Sequence, residues 1–229
     1  MPILNMIYWV TWWGGWWTPW VNTLAYYTFD TQILLNEATN TVDATWYSWQ
    51  WSYDTGYWWT GYCVDIATWW AIALSTHIPQ WDFTVAFCVK FNSYPPTWDI
   101  WWLFGYEGAL QYGMHCQMTG DIREFVQYTN SYNGTSLIDS NTLSLNANTW
   151  YRFYITRNSW TVKMYINGSV VGTWIDNNPN ATSQTRTCYL WTTYNISERK
   201  LNGYLDNVII ENRAWTDAEI INYDNNISA

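Results

Sequence analysis

The chain is poor in positive charge: across 229 residues, 9 Lys and Arg face 18 Asp and Glu, for a formal net charge of −9. No basic cluster interrupts that balance, so the electrostatic footprint needed to neutralise phosphates is missing and nucleic acid is not an expected partner. Long apolar runs are missing too. Even the aromatic-rich start is cut by Gly14, Gly15, Thr18, Pro19 and Asn22, which excludes a membrane-spanning helix on sequence grounds. The first residues carry no Lys or Arg ahead of their apolar positions and no small-residue cleavage site, so no secretory signal is expected. Cysteine is sparse, and Cys63, Cys88, Cys116 and Cys188 form no C-x-x-C pair, which argues against a zinc site or redox dithiol. Buried free thiols are the expected state, with one or two disulfides open in an oxidising setting.

Glycine is also scarce, at 12 residues against an average usage of roughly 7%. Tryptophan is the opposite, with 22 residues. Many tryptophans occupy glycine-like positions: Trp12, Trp13, Trp16 and Trp17 flank Gly14-Gly15, and Trp58-Trp59 and Trp69-Trp70 lie among turn-forming residues. At Asn158-Ser159-Trp160-Thr161, between two strand-like runs, a residue with φ > 0 is expected, and tryptophan would be strained there. One reading is a gene whose UGA codons mean glycine, translated on paper as tryptophan. The rival reading is a genuinely aromatic surface that stacks on sugar rings. Trp150, beside Tyr151, Phe153 and Tyr154, is expected to be a true core tryptophan, with Trp215 next.

Residues 1–22 read as a low-complexity leader or attachment segment, and residues 23–229 as one folded domain. Strand-like runs with turn signals recur at Thr23–Phe29, Tyr62–Ile66, Ala71–Leu74, Phe83–Phe91, Leu103–Tyr106, Met114–Met118, Glu124–Tyr128 and Leu137–Ile138. In the second half, Trp150–Thr156 and Thr161–Ile166 are β-branched and aromatic. Asn167-Gly168 supplies a two-residue hairpin turn into Ser169–Thr173. Cys188–Thr192 and Gly203–Glu211 are further expected strands. Thr216-Asp217-Ala218-Glu219 has capping-box spacing and opens a helix expected to run to about Tyr223.

Several of these segments form a recognisable series: Trp150-Tyr151-Arg152-Phe153-Tyr154, Thr161-Val162-Lys163-Met164-Tyr165-Ile166-Asn167-Gly168, Leu201-Asn202-Gly203-Tyr204-Leu205-Asp206-Asn207-Val208 and Arg213-Ala214-Trp215-Thr216-Asp217-Ala218-Glu219-Ile220. Together they resemble the C-terminal half of laminin-G-like domains of the concanavalin-A-like lectin/glucanase superfamily. The stretches at Ala25–Asp30 and Asp82–Lys90 resemble its opening half, although members usually carry Trp where this chain has Cys88. Members also place glycine where this chain has Trp81 and Trp160. The resemblance implies an all-β fold, a two-sheet antiparallel jelly-roll sandwich with one short C-terminal helix. It also implies a rim calcium, with Asp30 and Asp206 as the matching carboxylates. Calcium takes six to eight oxygens, so backbone and water oxygens would complete the shell. The alternative is that Asp30 begins a turn and Asp206 caps a strand edge.

Glucanases of the superfamily carry an E-x-D-x-x-E-type strand, and none is present here. Asp121 and Glu124 have a spacing that sends them to opposite faces of a strand, and His77 and His115 stand apart from any nucleophile motif. A non-enzymatic, carbohydrate- or surface-recognition domain is therefore expected, with a glycan or cell-surface polysaccharide as partner. Tyr106, Tyr112, Tyr128, Tyr132 and Asn133 are the candidate ligand-binding residues, because aromatic faces and short polar groups suit sugars. The combination of a single lectin-like domain, a leader and no signal points to a virion component such as a phage tail-fibre, decoration or receptor-binding protein. Alternatives are a bacterial extracellular adhesion domain and a structural module that forms homo-oligomers or packs on other virion proteins. The expected location is the virion or the extracellular space.

Overall fold

The computed structural model describes the backbone at residues 23–27, 45–46, 52–55, 62–65, 72–74, 82–93, 100–106, 113–114, 116–119, 127–129, 135–136, 145–175, 188–190 and 202–226, with side chains detailed at 63, 82–93, 145–173, 175 and 202–226. The first strands are β1 (Thr23–Tyr27), β2 (Thr45–Trp46), β3 (Ser52–Thr55), β4 (Tyr62–Asp65) and β5 (Ile72–Leu74). The middle of the chain supplies β6 (Phe83–Phe91), β7 (Ile100–Tyr106), β8 (Gly113–Met114), β9 (Cys116–Thr119), β10 (Gln127–Thr129) and β11 (Thr135–Ser136). The last part supplies β12 (Trp150–Asn158), β13 (Thr161–Ile166), β14 (Ser169–Ile175), β15 (Cys188–Leu190), β16 (Gly203–Glu211) and helix α1 (Asp217–Asn226).

The largest sheet runs β14-β13-β12-β6-β16-β4-β3, with β1 also on β16; a five-stranded sheet runs β2-β5-β15-β7-β9 and a three-stranded one β11-β10-β8. The chain is thus mostly β, antiparallel in its pairings, with one C-terminal helix among the described residues, an arrangement consistent with a jelly roll. Residues 1–22, expected as a leader, and the expected strand Leu137–Ile138 lie outside the described residues.

Strand alternation decides what each face of the large sheet carries. On one face, Phe83, Val85, Phe87 and Val89 of β6 oppose Arg157, Ile155, Phe153 and Tyr151 of β12, Phe91 follows along β6, and all of them are buried. Phe87 and Phe153 stack with ring centroids 5.4 Å apart, and Phe91 meets Phe153 edge-on. Val162, Met164 and Ile166 extend this layer onto β13. Burial of such side chains stabilises the fold by about 1.5–3 kcal/mol each.

The opposite face holds Ala86, Tyr154, Tyr165 and Ile209, and the C-terminal segment covers them. Thr216 and Glu219 close the capping box: the Glu219 N–H donates to Thr216 Oγ1 at 3.2 Å, and the Thr216 N–H to Glu219 Oε2 at 2.8 Å. Trp215 just before the cap and Ile220 within α1 share one buried cluster with Tyr223, which fixes the entry of the helix onto the sheet. Buried Thr84 reinforces that entry, donating to the Arg213 carbonyl and accepting from the Trp215 N–H, both at 2.8 Å. The helix runs to Asn226, beyond the Tyr223 read from sequence, because Asp224 finds a partner on the sheet.

Two turns test the glycine-slot reading. At Asn167-Gly168 both residues have positive φ, 50° and 73°, as a two-residue hairpin requires. At Ser159-Trp160 the pairing of Asn158 with Thr161 also leaves a two-residue loop, but the positive φ, 53°, falls on Ser159. The strain expected at Trp160 is therefore carried one residue earlier, and the Trp160 side chain is exposed. Trp215 is buried as expected, with its indole N–H on Glu211 Oε2 at 2.6 Å. Trp150 is not: it is half-buried, because alternation gives Tyr151 and Phe153 to the core and puts Trp150 on the other side.

Candidate functional site

The helix covers only part of its sheet face. Moving along β6 from Ala86 toward Phe91, the next row is Arg152–Cys88–Asp206, and the row after that is Trp150–Lys90–Tyr204. These last three residues are half-buried. They are direct cross-strand neighbours on β12, β6 and β16, the arrangement in which side chains on one face touch. The Lys90 ammonium sits between the two rings, 4.1 Å from the Tyr204 centroid and 5.3 Å from that of Trp150. Such cation–π contacts hold the lysine while leaving its N–H donors able to serve a ligand.

Beyond that row lies a polar rim. Asn92 Nδ2 donates to Asn202 Oδ1 at 3.2 Å, and Asn202 Nδ2 donates to Ser93 Oγ at 2.9 Å. The Asn92 N–H reaches the Asn202 carbonyl at 2.9 Å, and the Asn148 N–H reaches the Phe91 carbonyl at 2.6 Å. Gly203 allows β16 to come in this close: a Cβ there would strike the Lys90 carbonyl oxygen. The result is a row of two aromatic rings and one ammonium on strands, edged by amides and a hydroxyl just beyond the ends of β6 and β16. This is the chemistry that meets a sugar, with C–H faces against rings and short polar groups against hydroxyls.

The residues singled out from sequence are placed as follows. Tyr106 ends β7, opposite Cys188, in the five-stranded sheet. Tyr128 lies on β10 between Met114 and Thr135, in the three-stranded sheet. Tyr112, Tyr132 and Asn133 lie outside the described residues, as do Asp121, Glu124, His77 and His115. Lys90 was not singled out because nothing near it in the chain marks it. Only the register places Trp150 and Tyr204, on distant segments, beside it.

Asp206 is buried on β16, and its Oδ1 accepts the Asn207 N–H at 2.8 Å. A register shift follows between Asp206 and Ile209, with Asn207 at φ 50°. Here the strand changes partner, from β4 at Leu205 to β1 at Val208. Asp30 lies outside the described residues, three positions beyond Tyr27, which pairs with Val208. Among the described residues no group of three His, Cys, Asp or Glu gathers around Asp206. A single carboxylate with one oxygen already hydrogen-bonded does not by itself fit a calcium shell.

Cys88, between Arg152 and Asp206, is fully buried; burial first, and then the Asp206 charge, push its thiol well above the ordinary range. Cys63 and Cys88 are free thiols, as expected. Other carboxylates on this side serve the architecture: Asp224 binds Arg152 and Tyr154, Glu211 meets Trp215 and Arg213, and Asp217 binds Lys163 and Tyr165.

This strand order and C-terminal helix define a mostly β, jelly-roll-like domain. Over residues 68–221 the sequence matches the family Laminin_G_3, described as concanavalin A-like lectin/glucanases superfamily, and the chain belongs to that family. Among solved structures, domain 4 of AbnA, an extracellular GH43 arabinanase from Geobacillus stearothermophilus, is similar at a TM-score of 0.68. It is 17% identical, over 87% of this chain and 97% of that one. The botulinum neurotoxin serotype C1 binding domain is similar at 0.67 and 12% identity, over 89% of this chain and 52% of that one. The binding domain of botulinum neurotoxin DC, in complex with SialylT, gives 0.65 and 11% over 90% and 51%. The chain thus spans about half the length of the neurotoxin chains. No curated protein sequence matches it.

Proposed function

We propose that this protein is a non-catalytic carbohydrate-recognition domain, and that its sheets pack as a two-sheet jelly-roll sandwich. The carrying observation is the half-buried Trp150–Lys90–Tyr204 row with its Asn92–Asn202–Ser93 rim, on a face the helix leaves uncovered. Two similar structures bear on the same reading: the arabinanase domain is in complex with arabinotriose and a neurotoxin binding domain is in complex with SialylT. The structural partners of Asp224, Glu211 and Asp217 favour a binding role over acid–base chemistry, which needs carboxylates poised for proton transfer.

The setting we propose is a virion component that contacts cell-surface polysaccharide, with a bacterial extracellular adhesion domain as the alternative. Tyr106, Tyr112, Tyr128, Tyr132 and Asn133 stay in the proposal as further glycan contacts. A calcium ion held by Asp206 and Asp30 is proposed on the family resemblance, and a calcium-dependent rise in melting temperature, abolished by Asp206→Asn, tests it. A glycan array read with the intact chain tests the function. Saturable binding to at least one glycan class supports it, whereas silence across the array, or hydrolysis of a bound glycan, overturns it.

A further inference from the structure

Strand β14 ends one side of the large sheet: among the described residues it is hydrogen-bonded to β13 alone. Val170, Thr173 and Ile175 lie opposite Tyr165, Lys163 and Thr161, so they share the face that carries α1. All three are exposed, Val170 at 47% and Ile175 at 57%. Helix α1 borders the same strip. Asp217 binds Lys163 and Tyr165 on β13, and Asp224 lies against Gly168 at the turn into β14. Ile221, spaced between them on the same side of the helix, is 48% exposed. The fourth large apolar side chain exposed among the described residues, Trp160, precedes Thr161, the cross-strand neighbour of Ile175. The exposed apolar side chains of the described residues are thus gathered along one open strand edge, where a further strand can pair.

We infer that this edge is a docking surface for a second copy of the chain, β14 pairing antiparallel with β14 across a twofold axis near Thr173. Charge selects the occupant. Strand β14 reads Ser-Val-Val-Gly-Thr-Trp-Ile, without a charged residue or a proline, and the charges bordering it are paired with one another, Lys163 with Asp217 and Arg152 with Asp224. The strip is therefore locally neutral on a chain of net charge −9, so two copies can meet here without setting like charges face to face. A charged peptide finds no counter-charge on it. The partner that fits is an uncharged, β-branched strand with its own edge open, and β14 is such a strand. The register shift lies between Val170 and Gly172, which leaves Gly172–Ile175 as the regular stretch for pairing. Antiparallel pairing there brings Ile175 of each copy toward Val170 and Ile221 of the other, on the helix side of the sheet. Because the contact uses the same edge on both copies, it closes at two. Seven strand residues and a short border fall short of the roughly 20–30 residues a side of a stable complex, so the dimer exchanges, with a dissociation constant on the order of tens of micromolar.

The test is sedimentation velocity of the full chain from about 1 μM to about 500 μM, at low and at physiological salt. A monomer–dimer equilibrium is expected, tightening as salt screens the net charge of the two copies. Val170→Lys and Ile175→Lys, each shown folded by circular dichroism, should each weaken dimerisation about tenfold or more, because the twofold axis sets both new charges on the shared edge. Each substitution also lowers the net negative charge, so a loss of dimer cannot come from greater overall repulsion. Asn212→Lys, at an exposed position just after β16, adds the same charge away from the edge and should leave the dimer intact. If one β14 variant fails to fold, the other carries the result. A chain that stays monomeric throughout, a dimer indifferent to both β14 substitutions, a dimer lost equally in Asn212→Lys, or growth past two copies would each overturn the pairing.

Discussion

Asp224 of α1 receives the Arg152 guanidinium in two parallel bonds, Nε to Oδ1 at 2.6 Å and Nη2 to Oδ2 at 2.7 Å, while the Tyr154 hydroxyl donates to Oδ1 at 2.8 Å. The helix is thereby tied to the middle of β12, and its last turn closes over Gly168, where a Cβ would lie 3.1 Å from Asp224 Oδ2. Burial and the Asp224 charge push the Tyr154 phenol far above its ordinary range, so it remains a donor at any working pH.

Removing one partner of this nearly buried pair strands the other. Arg152→Met or Asp224→Asn should each cost about 3–5 kcal/mol, read from the midpoint of urea unfolding. The double variant Arg152→Met/Asp224→Leu should cost less than the sum, since no charge is left behind. Equal and additive losses would show that the pair is not coupled.

Acid should loosen the helix first. Hydrogen bonds from Lys163 and Tyr165 lower the Asp217 pKa; at Glu219 burial acts upward but is outweighed by the Thr216 N–H and Arg213. A carboxylate with a depressed folded pKa contributes stability above its unfolded value, about pH 4, and loses it as pH falls through the folded value. Stability should therefore drop below about pH 4, and Asp217→Asn should flatten that limb. Thr216→Ala, which removes the cap, should cost about 1 kcal/mol at neutral pH.

Cys63 and Cys88 are both fully or almost fully buried, and the Cys88 thiol is held protonated. Neither should react with a thiol reagent in the native protein, and both should react once it is denatured. Labelling of Cys88 in the folded protein at neutral pH would contradict its placement between β12 and β16.

The tryptophan excess has its own outcome. Trp150 stacks on Lys90 and Trp215 fills a buried cluster, so peptide mass spectrometry of the natural protein should find tryptophan at both. Exposed Trp160, in a two-residue turn beside Ser159 at φ 53°, is the position expected to be glycine if UGA is recoded in the gene. Tryptophan at Trp160 in the protein would end the recoding reading there.

Much of the domain was written locally. Phe83–Phe91, Thr161–Ile166 and Gly203–Glu211 are strands with the bounds their β-branched and aromatic content indicates, and Asn167-Gly168 turns where its positive-φ residues require. The capping box at Thr216–Glu219 opens α1 for the same reason: its hydrogen bonds span three residues. Short β2 and β3 carry no comparable signal, since a two- or four-residue strand is held by its partners.

What tertiary structure alone decided is everything that depends on register. Sequence placed Trp150 in the core because its neighbours are aromatic, but pairing with Lys90 set it on the outer face beside Tyr204, 54 positions further along the chain. The same pairing extended α1 to bring Asp224 onto Arg152, and it aligned Trp150, Lys90 and Tyr204 into one row. Local propensity fixes which residues form strands, because it is a property of each residue and its immediate neighbours. Which strands lie side by side, and hence which side chains meet at the site, is fixed by long-range hydrogen bonding and burial that no local pattern encodes.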